Sequence, residues 1–346
     1  MNGKKIGKII IIIGVIFITW LLLKSNFSGN TGKNKSIYEN YGVPFKRCIS
    51  IGNSLEMPKD VHRSIEMKSE YFDIIKNAGF DCVRLPIRFS DYVNKDDYYT
   101  LDKEFMAKID SYINYALNDN LSIIIDFHNF TEIMNEPEDN KECLLSVGSQ
   151  LSQRYKDYPK QLIFELLNEP QNHLEGELWN EYLAEGISVI RENDKNRKII
   201  IGPDRYNSVD RFYKLKIPRD NNLIVTFHYY EPCDFTFQNN EYPERYKNFK
   251  RVMWDGTDEE LRALRNKFEI AQKWSKANKV GVFVGEFGID KDVEESYRKR
   301  WIGAVRKQAD ECDFAWGYWE LCSDFGTYNS ETGQWDKSIL SQLISN

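Results

Sequence analysis

From Tyr38 onward, short apolar runs alternate with longer stretches in which apolar residues recur at helical spacing. Short apolar runs bounded by Gly, Pro and Asn read as strands, and recurrence near 3.6 residues reads as amphipathic helix. Eight strand-like runs follow one another: FKRCISIGN, DCVRLPIRF, LSIIIDFHN, LIFELLNEP, KIIIGP, LIVTFHYY, VGVFVGEFG and FAWGYWEL. Between them the pattern predicts helices over Ser64 to Ala78, Asp102 to Asn118, Glu177 to Glu192, Asp258 to Ala277 and Glu294 to Ala309, and KSILSQLIS closes the chain. The stretch after the fifth run, DRYNSVDRFYKLKI, has the poorest helical spacing.

Strands that are apolar on both faces and alternate with helices belong in a parallel sheet covered by helices. Eight such units over about 300 residues predict a (β/α)8 TIM barrel in one domain, residues 38–346. A doubly wound open sheet is the rival. It calls for a Gly-rich phosphate turn after its first strand, and SIGNSLEMP lacks the GxGxxG spacing.

The N-terminus is a separate object. Lys4, Lys5 and Lys8 precede an apolar run from Ile9 to Leu23 that only Thr19 interrupts. Basic residues followed by such a run predict a signal peptide or a signal-anchor over residues 1–24. Residues 25–37 are polar and aperiodic and read as a flexible tether. The domain behind them is therefore expected outside the cytoplasm, secreted or held to the membrane through residues 9–23.

Composition narrows the chemistry. The formal net charge of −6 argues against nucleic acid, because no basic stripe is present to neutralise phosphates. The six cysteines show no CxxC pair and no His/Cys cluster, so buried free thiols are expected and a structural zinc is not. Eight Trp and twenty Tyr supply flat amphipathic rings of the kind that stack on sugars, although most such rings serve the core.

In (β/α)8 barrels the reacting groups come from the C-terminal ends of the strands. Those ends offer Asn53 and Glu56, Arg84, His128 and Asn129, Asn168 and Glu169, His228 and Tyr230, Glu286, and Trp319 with Glu320. Glu169 ends the fourth strand and Glu286 the seventh, so they face each other across the barrel mouth. Two carboxyls flanking a scissile bond are what glycoside hydrolysis requires: one holds a proton for the leaving oxygen, the other is ionised to attack. Arg84 suits the task of keeping Glu286 anionic, and Tyr230 can donate a hydrogen bond to it. Glu169 follows apolar residues and precedes Pro170, a setting that favours its protonated form. Taken singly each residue has a plainer reading, as an ion-pair partner, a core histidine or a core tryptophan.

The motifs IGNSLEMP, DCVRLPIRF, IDFHN, FELLNEP, FHYYEPCDFTFQ, VGEFG and GYWELCSDFG, in this order, resemble glycoside hydrolase family five, the cellulase-type barrels that retain anomeric configuration. The resemblance runs from about Tyr38 to the end. It implies Glu169 as acid/base and Glu286 as nucleophile. It implies Arg84, His128, Asn168, His228 and Tyr230 as supporting residues, and Trp319 as a sugar-stacking platform. Asn53, Glu56, Asn129 and Trp254 match positions near the family's cleft. The branch it most resembles, bacterial endoglucanases with mannanase side activity, commonly has a second histidine where Asn129 stands and a cleft histidine where Phe237 stands. It often has a large aromatic where Gly148 stands.

The expectation is a retaining endo-β-1,4-glucanase with its carboxyls about 5–5.5 Å apart. It needs no metal or organic cofactor, its partner is a β-linked polysaccharide or oligosaccharide, and the catalytic domain is expected to be monomeric. A β-mannanase on the same scaffold and a catalytically silent glycan-binding barrel are the alternatives.

Overall fold

The structure is a computed structural model, described over residues 41–61, 65–238 and 251–344. The expected anchor and tether lie outside the described residues. Among the described residues, no helix is long and apolar enough to cross a membrane.

Eight parallel strands close into a barrel. They are β1 (Arg47–Ser50), β2 (Cys82–Ile87), β3 (Ser122–Phe127), β4 (Leu162–Glu165), β5 (Ile199–Ile201), β6 (Leu223–His228), β7 (Gly281–Phe287) and β8 (Ala315–Tyr318). Each pairs with its sequence neighbours, and β8 closes the ring on β1. All eight are the runs read from the sequence.

Period-two alternation divides every strand between two environments. One face, including Ile49, Val83, Leu85, Ile123, Ile125, Phe164, Val225 and Trp316, joins the large core under the helices. The other face points into the barrel. Its lowest layer takes one residue from each strand: Cys48, Cys82, Ile124, Ile163, Ile200, Ile224, Phe283 and Ala315, with Val43 and Phe45 packed against them. Two residues further along each strand the inward positions are Ser50, Arg84, Asp126, Glu165, Gly202, Thr226, Gly285 and Gly317. Charge thus enters the lumen directly above a dry floor, and the glycines on β7 and β8 and just past β5 leave room for it.

Strand β7 breaks the alternation. Phe227 and His228 of β6 pair with Val284 and Glu286, and Trp316 and Tyr318 of β8 pair with Val284 and Phe287. One extra residue on β7 therefore opposes each neighbour, a β-bulge at Gly285 and Glu286.

The main helices are α1 (Glu70–Ala78), α2 (Lys103–Asn118), α3 (Pro137–Tyr155), α4 (Gly176–Asn193), α5 (Asp258–Asn278), α6 (Glu295–Glu311) and α7 (Lys337–Leu343). Three of them, α2, α5 and α7, start on a side-chain cap. The Asp102 carboxylate accepts from the Phe105 amide at 2.7 Å, and Thr257 with Glu260 forms a reciprocal capping box. The region after β5 forms no long helix: Asp204–Asn207 is one short turn and Val209–Lys214 is 3-10 helix. All six cysteines are free thiols, four of them buried.

Candidate active site

Arg84 organises the lumen. It is fully buried, and its guanidinium meets Glu165 Oε2 at 2.7 Å, Asp126 Oδ2 at 2.8 Å and Glu286 Oε1 at 2.7 Å. It also donates to Asn168 Oδ1 at 2.8 Å. The planar five-donor fork is what lets one cation serve so many acceptors. Arg84 therefore lies one layer below the mouth, within β2, instead of at the strand end.

The bulge in β7 turns Glu286 inward to meet this cation. Its second oxygen accepts from the Tyr230 hydroxyl at 2.9 Å and lies 3.5 Å from His228 Nδ1. Burial alone would raise the Glu286 pKa. The electrostatic pull of His228 foremost, then of Arg84 and His128, with the Tyr230 hydrogen bond, outweighs burial and holds it well below the usual carboxylate range. Glu286 is thus an anion at any pH near neutrality.

Glu169 sits just past β4 with left-handed backbone, φ 47°. Its side chain is 23% exposed against 6% for Glu286, so it is the more accessible of the two carboxyls. Oε1 lies 2.7 Å from His228 Nδ1. Glu169, His228 and Glu286 each place a side-chain N or O atom within 4.8 Å of the others, so the carboxyls meet over one spot although 117 residues separate them in sequence.

Asn168 is held from both sides. Its oxygen takes Arg84, and its amide nitrogen lies 3.3 Å from His128 Nε2. His128 in turn places Nδ1 2.7 Å from Asp126. Above His128 lies Trp319, half-buried, the two rings stacked at 5.5 Å. Asn53 is half-buried and Asn129 exposed at the same rim, the Asn129 amide donating to Glu56 O at 3.4 Å.

Other candidates stand differently from the expectation. Glu56 turns its carboxylate inward, where it accepts from the Asn53 amide and, at 3.0 Å, from the Ser54 amide. Those bonds brace the loop that presents Asn53. Trp254 is 3% exposed and packs in the main core, so it does not present the open ring that a sugar contact at this position would use. Gly148 lies on the buried face of α3 against Ile190, behind the barrel wall and away from the groove. Phe237 does reach the site, its ring 5.0 Å from that of Tyr230.

Asp126, Glu165 and Asn207 belong to the site and were missed by reading strand ends. Asp126 and Glu165 stand two and three positions before His128 and Asn168, inside runs that are otherwise apolar. A carboxylate at a lumen-facing position of such a run is the available signal. Burial raises the Glu165 pKa more than Arg84 lowers it, consistent with three carboxylates sharing one guanidinium.

Comparison with known proteins agrees with this geometry. Residues 46–324 match the model of the family described as Cellulase (glycosyl hydrolase family 5). The chain is 46% identical to the Clostridial cellulose synthase subunit Z from Clostridioides difficile, over 87% of this chain and 100% of that one, with a TM-score of 0.85. It is 38% identical to Thermotoga maritima Cel5A solved with cellobiose, over 90% of this chain and 100% of that one, with a TM-score of 0.86. Endoglucanase H of Acetivibrio thermocellus is 30% identical over 86% of this chain, which spans only 32% of that longer protein. A buried arginine, a neighbouring Asn–Glu pair and a facing glutamate, on a chain matched to one family over most of its length, lead to one assignment: this chain is a member of the cellulase family, glycosyl hydrolase family 5.

Proposed function

We propose that this chain is an endo-acting, retaining β-1,4-glucanase working by double displacement. The observation that carries the reading is the meeting of Glu169 and Glu286 with atoms within 4.8 Å. Retaining enzymes hold their carboxyls about 5–5.5 Å apart, whereas inverting enzymes need about 6.5–9.5 Å to admit a water.

In the first step a Glu286 oxygen attacks the anomeric carbon while Glu169 gives its proton to the departing glycosidic oxygen. The bond to that oxygen breaks and a glycosyl ester forms on Glu286. In the second step Glu169 takes a proton from water, the water oxygen bonds to the anomeric carbon, and Glu286 leaves as a carboxylate. Arg84 and Tyr230 hold Glu286 as the anion in both free states. Asn168, pinned by Arg84 and beside His128, presents its amide to the sugar hydroxyl next to the anomeric carbon. Trp319 supplies a ring face to the sugar on the nucleophile's side, with Asn53 and Asn129 at the rim.

Mannan is the second reading, favoured by one observation: Thermotoga maritima Cel5A, 38% identical, has also been solved with mannotriose. Comparing turnover of carboxymethylcellulose, glucomannan and mannan separates the two. Glu286→Gln tests the mechanism: turnover falls by orders of magnitude while oligosaccharide binding persists. Unchanged turnover would overturn it, and a barrel that binds glycan without cleaving it would show no turnover in either form. The placement outside the cytoplasm, secreted or membrane-attached, rests on Lys4, Lys5, Lys8 and the apolar run behind them. Similarity to a protein named as a cellulose synthase subunit supports a substrate met as nascent glucan at that membrane.

A further inference from the structure

Strand β5 is the one whose end offered no candidate in the sequence. Beyond Gly202 the chain makes a turn in which Arg205, Tyr206 and Asn207 take left-handed backbone, with φ of 54°, 62° and 51°. Asn accepts that conformation more readily than most residues. The turn delivers the Asn207 side chain, fully buried, beneath the mouth. Gly202 makes the room, since a Cβ there would lie 2.1 Å from Asn207 Oδ1.

The Asn207 amide nitrogen lies 3.2 Å from His228 Nε2. On the other edge of the ring, Nδ1 lies 2.7 Å from Glu169 Oε1 and 3.5 Å from Glu286 Oε2. Arg84 and Glu165 are the other charged groups acting on this ring. Facing two carboxylate oxygens, Nδ1 must carry a hydrogen, because a lone pair there would oppose two acceptors. A neutral ring then has its lone pair on Nε2, and that atom needs a donor. Asn207 supplies it.

We propose that Asn207 is a positioning residue for proton transfer: its amide holds His228 as the Nδ1–H tautomer, so the imidazole donates to Glu169 Oε1 and the transferable proton is left to Oε2. The inference deepens the reading of Glu169 as proton donor and rests on it. Burial disfavours a charged His228, but Glu286 and Glu169 together raise its pKa above the ordinary value. The amide N–H pointed at Nε2 works against that pull, because it leaves the second proton no place.

Two measurements test this. The chain has four histidines, few enough for proton–nitrogen correlation spectra to assign each ring. Wild-type His228 is expected to carry its proton on Nδ1 and none on Nε2 near neutral pH; a proton on Nε2 overturns the proposal, whatever any variant does. Asn207→Asp keeps shape and tolerance of the turn but replaces the donor by an acceptor. It is expected to lower kcat/KM on unactivated glucan at least about tenfold, and to change it far less on dinitrophenyl cellobioside, whose leaving group needs no proton. Equal losses on both substrates would mean a merely structural role and overturn the proposal. Glu169→Gln, assayed in parallel, keeps the two readings apart. If it shows no such split, the donor role of Glu169 falls and this proposal with it; if it shows the split and Asn207→Asp does not, only the role of Asn207 falls.

Discussion

Arg84 carries a single positive charge, and the carboxylates of Asp126, Glu165 and Glu286 all lie against it in a space closed to water. Removing one partner of a buried ionic network leaves the others uncompensated, which typically costs about 3–5 kcal/mol. Arg84→Lys keeps the charge but loses the fork, so urea unfolding is expected to show a loss of that order together with impaired turnover; unchanged stability would contradict the arrangement. Glu286 sets the sign of the acid response. Its folded pKa lies below the ordinary 4.5, so it stabilises the fold above that value and the contribution is lost as pH falls through the folded value. Wild-type protein is therefore expected to lose stability more steeply below about pH 4.5 than Glu286→Gln, and parallel curves would refute the assignment. At this scale the residues legible in the sequence were those exposed at strand ends. Asp126 and Glu165 hide inside apolar runs, and Asn207 comes from a turn whose backbone no hydrophobic pattern encodes.

Elements decide how those side chains are aimed. At the end of β1, a Cβ on Gly52 would lie 2.8 Å from the Trp319 ring, so the missing side chain is the floor on which the indole rests. Gly52→Ala is expected to tilt that ring and raise KM for glucan more than it lowers kcat, as steady-state kinetics would show. In α3 the situation is reversed. A Cβ on Gly148 would meet Ile190 at an ordinary 3.6 Å, beside a small cavity lined by Ile125, Phe164 and Leu166. Gly148→Ala should stabilise by about 1 kcal/mol from helix propensity alone, with kcat unchanged; a lower melting temperature would show that the cavity is needed. Helices with a clear apolar stripe were legible to within a few residues, except that α1 starts at Glu70 and not at Ser64. Helix α3 was not delimited, because its buried face includes Asn140, Gly148 and Ser152, which break the apolar period. The segment after β5 was legible only as an irregularity, since Val209 and Phe212 anchor a 3-10 turn too short to show a period.

At the scale of the molecule, the eightfold alternation was enough to specify the barrel, because strands buried on both faces have few other homes. The position of the groove followed from strand direction. Its consequence for stereochemistry is testable in the same protein: the first sugar released from a β-linked glucan should carry the β anomer, as proton spectra taken early in the reaction would show. Early α product would mean an inverting path and would contradict the short separation of the two carboxyls. The bulge at Gly285, by contrast, could not be read from the sequence, since VGVFVGEFG looks like any regular strand. By simple parity Glu286 falls among the outward residues of β7, facing the helices. One inserted residue reverses that assignment and swings the carboxylate into the lumen. Deleting Gly285 would restore an unbroken alternation with Glu286 next after the outward-facing Val284, so the attacking oxygen would keep its side of the wall opposite His228 and only the bulge would be lost.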